Sequence, residues 1–317
     1  MHNIYIEAPT RVGFVGLGMM GLPMLENLAG HACYEILAHD LDDAPFETLS
    51  AHPAWGRTLR RATTLADAAR NDIVITMLPN SAITNAVIAG EEGGPGIADE
   101  LAAGALVIDM GSSNPVDTMA LASRLVARGA TLIDAPVSGA VAKARAGTLT
   151  IMAGGPTEAL ERARPLFEKM GSTIIPTGAV GSAHAMKALN NYVYAAGLLA
   201  ASEVLLIAER MNLDLARFEQ VLNASSGRNV ATETKLKQFV IPRTFAGGFA
   251  LRLQSKDLAT AAALRALTCV EAPQLSLCQQ LWSEAVEMLE PGADNTEIFR
   301  FIEKRSGRAA GSLVAVR

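Results

Sequence analysis

Charge is sparse in this 317-residue chain. Charged residues make up 19%, and 27 Lys and Arg face 32 Asp and Glu, for a formal net charge of −5. A nucleic-acid or anionic-membrane surface needs a basic excess, so neither partner is expected. Cysteine is scarce as well. Cys33, Cys269 and Cys278 are odd in number and match no zinc or CxxC spacing, so reduced, buried thiols in a cytoplasmic protein are expected. No acidic or histidine cluster has metal-ligand spacing, and no metal is expected. The opening MHNIYIEAPTR lacks the apolar run of a signal peptide. Long hydrophobic runs are missing too. The greasiest stretch, Tyr192–Ala208, is 17 residues long and carries Glu203, which is short for a membrane span. It reads instead as a helix buried all round, in a core or a subunit contact. A homodimer or homotetramer is therefore expected. There is no internal repeat and no low-complexity run.

What the chain does have is material for a core. Half of its residues are hydrophobic, and its length implies about two domains. The first half alternates strand-like and helix-like segments. Arg11–Val15, Glu35–His39, Asp72–Leu78, Leu106–Asp109, Thr131–Ala135, Thr148–Ala153 and Ser172–Pro176 read as strands. Helical patterns such as Pro115–Arg128 and Thr157–Met170 fill the gaps. Strands separated by helices imply βαβ units and a mainly parallel sheet. From about Ser182 the texture changes to helical periods almost without strand signal. A long helix to about Met211 is expected, with shorter ones over Leu215–Asn223, Lys256–Ala266, Gln274–Leu289 and Thr296–Lys304. The fold class is α/β, with an N-terminal parallel-sheet domain over residues 1–178 and an all-helical C-terminal domain over 179–317.

Gly16-Leu17-Gly18-Met19-Met20-Gly21 is a GxGxxG motif between a strand and a helix, which points to a Rossmann-type first domain, a plain βα turn being the alternative. The first glycine permits a tight turn, the second lets the backbone approach a pyrophosphate, and the third lets helix and strand pack closely. The N–H groups of Met19, Met20 and Gly21 open the helix and suit phosphate. Asp40 follows Gly21 by 19 residues at the end of the second strand. A carboxylate there can bind both ribose hydroxyls of NAD and would repel the 2′-phosphate of NADP. Its plain alternative is a turn cap. Leu78-Pro79 ends the third strand and Ser112 follows the fourth, where small residues suit contacts to the cofactor. Capping of the helix at Pro115 by Ser113 or Asn114 is an equal reading of that second segment.

Asp134-Ala135-Pro136-Val137-Ser138-Gly139-Ala140 offers a hydroxyl and free backbone N–H groups at a strand end, a plausible cradle for a substrate carboxylate. Lys187 and Asn191 are four apart and share a helix face. A solvated or capping lysine is the plain alternative. His184, one turn earlier, could line a site, though a packed helix histidine is the commoner case.

These segments, in order, resemble the β-hydroxyacid dehydrogenase family: the glycine loop, DAPVSG, K-x-x-N-N at Lys187–Asn191, and Lys256-Asp257-Leu258. The resemblance runs from Gly16 to Leu258 and leans toward the 3-hydroxyisobutyrate branch. It implies NAD-dependent oxidation of a small 3-hydroxy acid, with Lys187 as catalytic lysine, Asn191 beside it, and Ser138, Gly139 and Ala140 on the substrate carboxylate. It also implies that Ser112, Leu78 and Pro79 touch the cofactor and that Lys256 closes over its nicotinamide side. A free lysine has a pKa near ~10.4; burial and nearby positive charge would make Lys187 a usable base. Ala140 stands where the family has a second glycine. Tartronate semialdehyde reductase and L-threonate dehydrogenase branches remain open. So do imine reductases and non-catalytic cofactor-binding modules of the same scaffold, against which the presence of Lys187 argues.

Overall fold

A computed structural model describes residues 9–91 and 94–307; the first eight residues, on which the reading of the N-terminus partly rests, lie outside them. The chain divides into two compact units, Met1–Lys187 and Ala188–Arg317. The division falls inside a helix and later than the boundary at 178 read from the sequence, because the helical period there begins before the second core does.

Among the described residues, the first unit holds nine strands in one sheet. They are β1 (Thr10–Val15), β2 (Tyr34–His39), β3 (Leu59–Arg61), β4 (Ile73–Thr76), β5 (Leu106–Asp109), β6 (Thr131–Asp134), β7 (Val137–Ser138), β8 (Leu149–Gly154) and β9 (Gly171–Gly178). The order is β3-β2-β1-β4-β5-β6-β8-β7, with β9 paired to β8. From β3 to β6 every pairing is parallel, and β8 runs antiparallel to β6 and β7. The order reverses between β1 and β4, which is where an open parallel sheet leaves a crevice for a ligand.

The strands are apolar on both faces because helices cover both. Val12 and Phe14 of β1, Ile73 and Ile75 of β4, Leu106 and Ile108 of β5, and Ile133 of β6 enter one core. The intervening Val15, Val74, Val107 and Leu132 enter the other. That is the period of two of a strand buried on both sides. Each fully buried Leu, Ile or Phe contributes about 1.5–3 kcal/mol. β3 and β7 were not anticipated, being two or three residues long with too few positions to show a period.

The second unit is helical. It comprises the remainder of Ser182–Arg210, then Leu215–Ala224, a π-helix at Thr232–Val240, Leu251–Thr268, Pro273–Met288 and Ile298–Arg305. Trp282, Leu258, Leu198 and Phe301 lie at its centre. The π-helix had no forecast. Its buried Thr232, Leu236 and Val240 recur every four residues, a spacing wider than the 3.6 of an α-helix.

Within this chain half of the long helix's most apolar window is buried, while Met186, Leu189, Val193, Val204 and Ile207 are exposed, so one chain does not cover it all round. One expectation needs correction: the thiols are not uniformly buried. Cys33 and Cys269 are exposed, and only Cys278 is buried, its thiol pushed up to about 11, mainly by that burial.

Candidate active site

The carboxyl ends of β1, β4, β5 and β6 lie on one edge of the sheet, and the residues singled out in the first unit gather there. Gly16 continues β1, its N–H donating to His39 O at 3.0 Å. Its φ is +99°, and a Cβ there would stand 2.4 Å from Met77 O, so no other residue fits without moving the end of β4. A Cβ on Gly21 would come within 2.0 Å of Gly16 O, which fixes how closely the helix Gly21–Ala29 approaches the strand. Gly18 behaves in the opposite way. Nothing lies within 4 Å of where its Cβ would be, so the loop backbone there borders open space. The helix after it starts without a side-chain cap and without an acidic residue in its first turn. Bare N–H groups, a positive helix end and an open approach match a pyrophosphate.

Asp40 sits just past β2 and does cap locally: Oδ1 accepts from Asp42 N–H at 2.9 Å. Its other oxygen reaches across to the glycine loop and accepts from Leu17 N–H at 2.5 Å. Each carboxylate oxygen retains a further lone pair, so both roles are compatible with binding ribose hydroxyls. Leu78 and Pro79 lie beyond β4 rather than in it, half-buried and exposed respectively, and Asn80 caps the next helix by accepting from Ile83 N–H at 2.9 Å. Ser112 is half-buried in the loop after β5. The capping there is done by Asn114, whose side chain accepts from Val116 N–H at 2.9 Å. Ser113 turns inward and donates to Asp109 at 2.6 Å.

Ser138 ends β7, half-buried, and Gly139 and Ala140 lead into the helix Ala140–Arg145. Gly139 has φ +141° and Ala140 has φ +56°. The left-handed region costs an L-residue roughly 1–2 kcal/mol, so the backbone at 140 has the shape a glycine prefers while carrying a methyl group. That methyl belongs to an exposed residue.

Lys187 is half-buried in the second turn of Ser182–Arg210. Ser182 is this helix's first residue. The cap comes from far away in sequence: Asp134, fully buried at the end of β6, accepts from Gly181 N–H at 2.7 Å and His184 N–H at 2.9 Å. Gly154 makes room for this, since a Cβ there would meet Asp134 Oδ1 at 2.6 Å and Ser182 Oγ at 2.8 Å. In the second unit Asn191 donates to Asp257 Oδ2 at 2.5 Å, and Lys256 pairs with Asp257 Oδ1 at 3.1 Å. Buried Asp257 therefore ties together two side chains singled out separately. Sequence reading assigned no role to Asp109, Asp134 or Asp257. The available signal for the first two was the shared pattern LVID and TLID, a carboxylate closing a buried strand.

Comparison with known proteins fits this geometry. Residues 11–179 match the family described as the NAD binding domain of 6-phosphogluconate dehydrogenase. Residues 181–302 match the one described as NAD-binding of NADP-dependent 3-hydroxyisobutyrate dehydrogenase. A 2-(hydroxymethyl)glutarate dehydrogenase of Eubacterium barkeri is 31% identical over 95% of this chain and 98% of its own. A 2-hydroxy-3-oxopropionate reductase of Escherichia coli K12 is 33% identical over 86% and 90%. Among solved structures, a Mycobacterium tuberculosis 3-hydroxyisobutyrate dehydrogenase with L-serine superposes with a TM-score of 0.81 at 28% identity, covering 93% of this chain and 99% of that one. The chain belongs to the β-hydroxyacid dehydrogenase family, as an NAD-dependent dehydrogenase.

Proposed function

We propose that the protein oxidises a small 3-hydroxy acid, of the 3-hydroxyisobutyrate kind, to its semialdehyde or keto acid. NAD, when bound, accepts the hydride from the carbinol carbon. The glycine loop Gly16–Gly21 holds its pyrophosphate and Asp40 its adenosine ribose, with Leu78, Pro79, Ser112 and Lys256 toward the nicotinamide end. Ser138 and the N–H groups of Gly139 and Ala140 take the substrate carboxylate. Lys187, as the neutral amine, accepts the hydroxyl proton while the C–H electron pair leaves with the hydride, and Asn191 hydrogen-bonds the same oxygen. In reduction the ammonium of Lys187 returns the proton. The observation that carries this reading is the placement of Lys187 one turn into a helix whose start is capped by Asp134 at the carboxyl edge of the dinucleotide-type sheet.

The substrate's side chain is the open choice. The similarity to the reductase from Escherichia coli supports a second reading, reduction of tartronate semialdehyde. NADH formation should be screened with 3-hydroxyisobutyrate, 3-hydroxypropionate, L-serine, glycerate and threonate. One of the five should be turned over clearly faster than the rest. Glycerate or threonate as the preferred substrate would replace the first reading by another branch of the family, and no turnover with any would refute both.

A cytoplasmic homo-oligomer completes the proposal. Met186, Leu189, Val193, Val204 and Ile207 are exposed and recur every three or four residues, or a multiple of that, along one side of the long helix. Such an apolar stripe is the pattern of a helix–helix contact. Light scattering at micromolar concentration should give a dimer or tetramer mass; a monomer mass would exclude the assembly.

A further inference from the structure

His184 is a fully buried imidazole set between two buried carboxylates. Its Nε2 lies 3.7 Å from Asp109 Oδ2 and its Nδ1 3.9 Å from Asp134 Oδ2, both beyond hydrogen-bond range, and Nε2 has no hydrogen-bond partner among the described residues. Nδ1 is also 2.8 Å from Thr118 Oγ1. Thr118 Oγ1 also lies 3.0 Å from Asn114 O, in the residue that caps the helix Pro115–Val126. Asp109 does more than face His184. Its Oδ1 accepts from Gly111 N–H and from Thr76 Oγ1, each at 3.1 Å, and its Oδ2 accepts from Ser113 Oγ at 2.6 Å. The two residues it binds beyond β5 flank Ser112. The carboxylate therefore sets the shape of the loop on which Ser112 stands. His184 lies on the other side of Asp109, in the turn that precedes Lys187.

We propose that His184 is a positioning residue for the dehydrogenase reaction: its imidazole, held at Nδ1 by Thr118 in the first turn of the helix Pro115–Val126 and lying against Asp109, ties the first turn of the Lys187 helix to the end of the Ser112 loop, so that the lysine amine and the cofactor loop keep one spacing. A helix cap alone, supplied by Asp134 to the backbone, fixes the axis of the turn but leaves its rotation and rise to side-chain packing. The imidazole supplies that second constraint from inside the unit. Misplacement of a reacting group by about 1 Å can cost ~10²-fold in rate, which sets the scale of the expected effect.

The inference rests on the proposed dehydrogenase reading, and the test separates the two. Wild type is assayed on the best of the five hydroxy acids above; no turnover by wild type defeats the functional reading itself. Given an active wild type, His184→Leu keeps the bulk and removes both nitrogens. It should lower kcat by about tenfold or more while KM and the NAD dissociation constant stay within about threefold. His184→Gln, whose amide can still donate, should recover most of that loss. A His184→Leu enzyme as fast as wild type overturns the proposal. So does a variant that loses kcat, NAD affinity and Tm together without recovery by Gln, the result of a packing role. If His184→Leu does not fold, Thr118→Val decides: it removes the hydroxyl that holds Nδ1, and a lower kcat at unchanged KM supports the tie, whereas an unchanged kcat contradicts it.

Discussion

Asp40→Asn is expected to narrow the preference for NAD over NADP by about 10- to 100-fold in kcat/KM. Hydrogen bonds to a charged group contribute about 1.5–3 kcal/mol against about 0.5–1.5 kcal/mol for neutral ones, and each 1.4 kcal/mol is about tenfold. Losing the charge therefore weakens NAD and at the same time removes the repulsion that a 2′-phosphate would meet. Asparagine is the informative substitution because Asp40 also holds the glycine loop through Leu17 N–H. An amide oxygen can still accept that bond, whereas Asp40→Ala would loosen the loop and confound selectivity with binding. Arg61, at the end of the neighbouring β3, is paired with Asp43 at 2.6 Å and stacked 4.2 Å over the Phe46 ring. Its charge is thus already compensated. Steady-state kinetics with both cofactors check this: an Asn variant with the wild-type ratio would remove Asp40 from cofactor choice.

The parts of the fold that repeat were legible, and those that depend on distant partners were not. Seven strands could be read because each is a run of apolar residues long enough to show itself between turn signals. The glycine loop was legible for a related reason: each glycine answers a local steric demand, seen in the close approach of Gly16 to Met77 O and of Gly21 to Gly16 O. β3 and β7 were too short to carry a pattern. The helix Leu251–Thr268 starts earlier than the expected Lys256, because its first turn is held by tertiary contacts such as Leu251 N–H to Ala293 O at 2.8 Å rather than by a local cap. Within the site, Lys187 and Asn191 could be paired from helix spacing alone. Asp134, Asp109 and Asp257 could not be given roles, since each acts on residues 47, 33 and 66 positions away respectively, in Gly181, Thr76 and Asn191. His184 was read as a packed histidine with a site-lining alternative. It is buried, and its neighbours are carboxylates rather than apolar side chains alone.

The larger effect is expected at Lys187. General acid–base catalysis contributes typically ~10²–10⁴-fold, so Lys187→Ala should lose about that much kcat. Lys187→Arg should fail as well, because a guanidinium cannot release its proton near neutral pH and its planar fork needs more room than an ammonium. The two directions should respond oppositely to pH. Oxidation needs the neutral amine and should accelerate as pH rises until Lys187 is deprotonated; reduction needs the ammonium and should slow over the same range. The alanine variant should flatten both slopes, since the titrating group has gone. NAD binding should persist in it, because the groups assigned to the cofactor in the first unit, from the glycine loop to Ser112, do not include the lysine.

The kcat of Lys187→Ala, measured beside its NAD dissociation constant, tests the account most directly. A loss of ~10²–10⁴-fold in kcat with a dissociation constant close to wild type is the predicted result. Near wild-type turnover would contradict it by taking Lys187 out of proton transfer, and joint loss of turnover and NAD binding would assign the residue a structural role instead.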